Sequence, residues 1–178
     1  MAKVGIITAD AARARFITAE IFDDLDSEGS PRMLEHAALD NPLGESRQRE
    51  EFSDRPSRKP SGAGPRGALP ASDDHRERHE QEDERRFAQR IVEEAQRFVA
   101  EHHPGTLVLA AGPRLLGVLR KELGDRRWQG LEMHELGEDL SGQPLPKLRD
   151  ALTRRGILPE SRLPRAGVFR PRGQEPQA

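Results

Sequence analysis

The sequence predicts an α/β fold of three layers, with a mixed sheet of about five strands between helices. Three observations carry that prediction. Two short apolar runs follow each other closely at the N-terminus, an apolar stripe recurs at helical spacing from Phe87 to Val99, and strand and helix patterns alternate after Gly105.

The elements follow in order. KVGIITA, from Lys3 to Ala9, is nearly continuous apolar sequence, the pattern of a strand covered on both faces, and Asp10 ends it. ARARFITAE comes next after a gap too short for a crossover, so the two runs form a hairpin. Its alternation places Ala14, Phe16 and Thr18 on one side and Arg15 and Ile17 on the other. DDLDSEGSP supplies a polar turn. RMLEHAAL then sets Met33, Ala37 and Leu39 at alternating positions, which gives a third antiparallel strand.

From Asn41 to Asp74 neither period survives, and Gly, Pro, Ser and charged residues dominate. Residues 41–75 are therefore expected to be a long, flexible, glycine/proline-rich loop, and a segment of this kind within a compact domain is either functional or disordered. Phe87, Ala88, Ile91, Val92, Ala95, Phe98 and Val99 then mark a helix expected from near Glu77 to Ala100, roughly 36 Å long. Asp73 and Asp74 are its candidate caps, and HHPG is its stop. TLVLAAG reads as a buried strand. PRLLGVLRKELG is a helix with Pro113 in its first turn and Gly124 after its last, GLEMHEL is a short strand, and PLPKLRDALTRR is a last helix. The order β-β-β-α-β-α-β-α is the layout of a ribonuclease H-like mixed sheet, with parallel pairing after the opening meander. One domain is expected over 1–155. Residues 156–178, rich in proline and arginine, are expected to form a disordered basic tail.

Composition narrows the function classes. Of 178 residues, 34% are hydrophobic and 34% charged, so only selected segments build the core. There is no cysteine, which removes disulfides, thiolate metal sites and thiol nucleophiles. No apolar run approaches the roughly 18 residues that span a bilayer, and the N-terminus has no signal-peptide pattern. A soluble, cytoplasmic protein without membrane insertion is expected, with its oligomeric state open. A net charge of −2 argues against a globally basic nucleic-acid binder and leaves local basic segments to be considered.

Asp10 is the best-placed acid for chemistry, because a sheet of this layout can host two-metal nuclease sites built from converging carboxylates. Glu93, Glu94 and Asp139 are the other acids open to such a site. The alternative is that Asp10 accepts hydrogen bonds in a turn or pairs with Arg13 or Arg15. His75 and His79 lie one helical turn apart but lack the glutamate of the zinc-protease pattern, so they are expected to be solvated helix residues. His102 and His103 suit a helix C-terminus, and His134 has no partner visible in sequence. Gly112 and Arg114 open a helix after a strand, a place where phosphate binds in other folds, but no complete nucleotide-binding motif is present. No Gly-x-Ser-x-Gly elbow occurs. No cofactor is expected.

ADAARARFI, SDRPSR, ERRFAQRI, LVLAAGPRLLGVLR and EDLSGQPLPKLRDAL, in this order and spacing, resemble the bacterial family named for attachment to host cells. That family is similar in fold to the middle domain of archaeal and eukaryotic class-1 peptide-chain release factors. In that domain a Gly-Gly-Gln loop precedes a long helix and enters the ribosomal peptidyl-transferase centre. The resemblance puts SGAGPRG at the equivalent place, with Gly62 and Gly64 near the tip. The glutamine is missing, and Pro65 removes a backbone amide. The resemblance thus implies binding more than hydrolysis: contact with the ribosome or structured RNA through the phosphate-binding candidates Arg55, Arg58, Lys59, Gly62, Gly64, Arg66 and Arg114. The rival is a hydrolase of ester or RNA bonds using Asp10 and the glycine-rich loop.

Overall fold

The computed structural model describes residues 2–22, 30–44, 71–124, 128 and 130–160. Five strands, β1 (Ala2–Ala9), β2 (Arg13–Ile21), β3 (Arg32–Asp40), β4 (Thr106–Ala111) and β5 (Glu132–Leu136), form one open sheet in the order β3-β2-β1-β4-β5. β1, β2 and β3 make an antiparallel meander, whereas β4 pairs parallel to both β1 and β5. Three helices follow the meander: α1 (Ala71–His102), α2 (Pro113–Leu123) and α3 (Leu145–Arg154). The chain is a mixed α/β protein, as the alternating patterns require.

Strand alternation divides the core into two layers. Ile7, Phe16, Leu107 and Leu109 face α1 and α2 and pack with Phe87, Ile91, Phe98 and Leu119. Val4, Ile6, Ile17 and Val108 face the other way, onto Leu148, Leu152 and Leu158. β1 and β4 are buried on both faces, which is why their sequences are apolar without alternation. Phe16 and Ile6, fully buried, each contribute about 1.5–3 kcal/mol by leaving water. The helical stripe behaves as expected, since Phe87, Ala88, Ile91, Val92, Ala95 and Phe98 are all buried. Gly5 lets α1 sit close to β1: a methyl group there would lie 2.9 Å from the Phe98 ring.

Three expectations need correction. α1 begins at Ala71 and not near Glu77, so Asp73 and Asp74 lie inside the helix and are not its caps. The polar sequence before Phe87 hid this start, because it carries no apolar period. β3 does not keep one alternation: the register with β2 shifts between Phe16 and Ile17, leaving His36 as an extra residue. Met33 therefore packs on the α3 side while Ala37 and Leu39 pack on the α1 side. Lastly, the packed chain runs past residue 155, since Leu158 is 2% exposed against α3. The rest of the expected tail, and residues 45–70 of the expected loop, lie outside the described residues.

α1 is far longer than the sheet it covers. Its 32 residues span about 48 Å, against about 26 Å for the 8 residues of β1. Its C-terminus is level with the start of β1, where the Gly105 amide donates to the Lys3 carbonyl. The excess therefore overhangs the opposite edge, at the carboxyl ends of β1 and β4.

Candidate functional site

In open α/β sheets the carboxyl edge between strands whose connections leave in opposite directions forms a natural crevice. Here that place lies between β1, which continues into the meander, and β4, which continues into α2. Asp10, the residue after β1, stands there.

Both Asp10 oxygens are engaged. Oδ1 accepts the amides of Ala12 at 2.6 Å and Arg13 at 2.8 Å, which closes the β1–β2 turn. Oδ2 accepts the Ser141 hydroxyl at 2.5 Å, and the Arg13 guanidinium lies 3.6 Å away. Ser141 is also 2.7 Å from Asp139, whose Oδ1 takes the Ser141 amide at 2.9 Å. A hydroxyl has one proton and serves one carboxylate at a time. Ser141 is 1% exposed, so this hydroxyl ties the turn to the segment ahead of α3 and does not face a substrate.

Arg15 reinforces the same tie. It donates to the carbonyls of Ser141 at 3.0 Å and Gln143 at 2.7 Å, and it grips Glu35 on β3 through two nitrogens, at 3.1 and 2.7 Å. The Arg15 guanidinium holds the Glu35 carboxyl below its ordinary value, mainly through that hydrogen bonding. Arg15 thus pairs with Glu35, and Arg13 is the arginine near Asp10.

Asn41 and Gly44, just after β3, are seated on the same turn. The Asn41 amide donates to the Ala12 carbonyl at 2.6 Å, and its side-chain nitrogen donates to the Ala11 carbonyl at 2.8 Å. Residues 42–44 make a helical turn above it. Gly44 has no room for a side chain: an added Cβ would stand 1.7 Å from the Ala11 carbonyl oxygen.

Of the acids considered with Asp10, only Asp139 comes near. Glu93 is exposed and Glu94 pairs with Arg97, both on α1, which covers the opposite face of the sheet. Among the described residues no group of three or more His, Asp or Glu is placed to hold a metal ion. Gly112 caps α2 with extended backbone, and Arg114 is bound to Glu84 of α1 at 3.0 Å. That carboxylate offsets the unfavourable position of a cation at a helix N-terminus. A groove of about 900 Å³ runs between α1 and α2, lined by Glu84, Arg85, Arg114, Lys121 and Glu122 among others. Arg85 closes on Glu122 at 2.9 Å and holds that carboxyl below its ordinary value, with help from Gln89.

His79 is exposed on α1. His102 stacks on His36 of β3 with ring centroids 3.9 Å apart and meets the Phe98 ring edge-on. His103, at φ 48°, ends the helix. His134 lies 3.1 Å from Glu132 on its own strand. Sequence reading passed over Ser141, Asn41, Gly44 and the His36 stack, because each acts through a partner distant in the chain. Arg55, Arg58, Lys59, Gly62, Gly64 and Arg66 lie outside the described residues. No helix among the described residues is long and apolar enough to cross a membrane.

No curated protein matches the chain. A family model described as "Protein required for attachment to host cells" matches residues 5–152, which takes in most of the sheet and of the three helices, the Asp10 turn and Ser141. With most of its length inside that match, the chain belongs to the family of proteins required for attachment to host cells.

Proposed function

We propose that the chain is a cytoplasmic binding protein that engages structured RNA, the ribosome above all, and affects attachment to host cells indirectly. The carrying observation is the placing of Gly44 and of the overhanging start of α1, the described residues on either side of the 45–70 segment. Gly44 is seated on the Ala11 carbonyl at the carboxyl edge, and α1 overhangs that same edge. From Glu84, level with the start of α2, to Ala71 is about 20 Å of helix. Gly44 and α1 thus flank in sequence the segment that carries Arg55, Arg58, Lys59 and Arg66. Cations such as these suit phosphate contact, and Gly62 and Gly64 suit close approach of backbone to a ligand.

The strand order β3-β2-β1-β4-β5 is compatible with a ribonuclease H-like sheet and with likeness to the release-factor middle domain. On this reading the loop ahead of α1 is the contact surface. The hydrolase alternative asks Asp10 to act on a substrate. Its Oδ1 serves two turn amides and its Oδ2 a buried serine, which favours a holding role.

Co-sedimentation with ribosomes at low salt, with and without ribonuclease, tests the proposal. The protein is expected in the pellet and lost from it on ribonuclease treatment. Replacing Arg55, Arg58, Lys59 and Arg66 together by alanine is expected to weaken binding and to reduce the slope of log affinity against log salt by roughly 3–4, the loss of up to four phosphate contacts. Unchanged binding by that variant sinks the role of the loop. A protein that stays in the supernatant while hydrolysing an ester or RNA bond in an Asp10-dependent way favours the rival.

A further inference from the structure

We infer that the stacked rings of His36 and His102 are an acid-sensitive latch, which holds the last turn of α1 on β3 near neutral pH and releases it when both rings carry a proton. The latch lies at the edge of the sheet where β1 begins, and it uses none of the residues of the RNA reading.

A local irregularity brings the two rings together. The register shift between β2 and β3 leaves His36 as the extra residue, and a bulge of this kind re-aims a side chain. His36 and Ala37 therefore both face α1, although neighbours in a regular strand face opposite ways. Ala37 packs on the core beneath α1, and the His36 ring meets that of Phe98 at 6.0 Å between centroids. His102 is the last residue of α1, and its ring lies 3.9 Å from that of His36 with 34° between the planes. It also meets Phe98 at 4.9 Å, so one phenyl ring backs both imidazoles.

The other contact of His36 is indifferent to charge. Its Nε2 is 2.8 Å from the hydroxyl of Thr18, a buried residue of β2. A hydroxyl both donates and accepts, so this bond survives protonation of the ring. The added charge therefore loads the contact with His102. Three elements bring further charges to His36: Lys3 on β1 opposes a proton there, as His102 does, while Glu20 on β2 and Glu101 on α1 favour one. Lys3 and Glu20 are 3.7 Å apart and largely offset each other. His103 adds a third imidazole, turned to the Glu101 carbonyl at 3.3 Å. Glu101 remains as one carboxylate for two stacked rings, so a first proton is balanced and a second is not. Two unit charges about 4 Å apart in water repel enough to shift an equilibrium about fivefold. That repulsion falls on the turn closed by the His103 amide and the Val99 carbonyl, at 2.9 Å, and helix ends open more readily than their middles.

NMR titration of the His36 ring and amide exchange corrected for intrinsic rates, both between about pH 5 and pH 8, test the inference. In the wild type the His103 amide is expected to open about fivefold more often at the acid end, whereas the Ala95 amide in the middle of α1 changes less. His36→Phe and His102→Phe, whose rings stack without charge, are expected to abolish the rise, and His102→Phe is expected to raise the His36 midpoint. Circular dichroism shows whether each variant is folded, and the wild-type comparison of His103 with Ala95 decides without a variant. Opening at His103 that is equal at both ends of the range, or matched by Ala95, would overturn the inference. So would a rise that persists in both phenylalanine variants, or a His36 midpoint that His102→Phe leaves in place.

Discussion

Gly44 and His36 are single residues whose settings fix what a substitution would do. At Gly44 the obstacle to a Cβ is the backbone carbonyl of Ala11, which cannot rotate away as a flexible side chain would. Gly44→Ala must displace either the turn after β1 or the helical turn at 42–44, and overpacking of this kind costs about 1–3 kcal/mol. A urea titration is expected to find the unfolding free energy lowered by that amount, read as a lower midpoint at unchanged slope. His36 is held below its ordinary value of 6.5, first by burial and then by His102, with Lys3 acting in the same sense and Glu101 and Glu20 against it. The unfolded chain therefore takes up the proton first as pH falls. His36 contributes stability above about pH 6.5, and that contribution is lost as pH drops through the folded value. Denaturation at fixed protein concentration is expected to find His36→Gln less sensitive to acid in that window than the wild type. Equal sensitivity would remove His36 as the cause. Ser141 could not have been singled out in the sequence: a serine in EDLSGQ has no pattern that announces a partner 131 residues away.

Among the elements, α1 combines two behaviours in one helix. From Phe87 onward it is bound to the sheet, whereas none of residues 78–86 is buried. The early part leans on Glu84–Arg114 and Arg85–Glu122, pairs whose arginines are largely exposed, so that each contributes little. An isolated helix shorter than about 12–15 residues is marginal in water. Amide exchange is expected to be fast before Glu84 and slow from Phe87 to Val99, with the change falling at the two ion pairs. Uniform protection along α1 would mean that something outside the sheet supports the overhang. This division also explains what the sequence made legible. Apolar periodicity marks where a helix is packed and is silent where it projects, so the stripe was readable and the true start at Ala71 was not. β3 was half legible for a related reason: alternation revealed a strand, but a bulge depends on pairing with β2 and leaves no local sign.

For the whole molecule, the order of strands and helices was readable because each buried segment carries its own period, and the mixed sheet followed from it. The candidate site was less so. Its acid could be picked from its place at the end of β1, yet its engagement by Ser141, and the seating of Asn41 and Gly44 on the same turn, arise only when distant parts of the chain converge. That distance has a further effect. β2 meets β1 a few residues after β1 is made, but Val4 on the other side of β1 waits for Thr106. At synthesis rates of about 5–20 residues per second the wait is roughly 5–20 s. Throughout that interval the strand destined for the centre of the sheet is an open edge, and the nascent chain depends on whatever shields it until β4 leaves the ribosome.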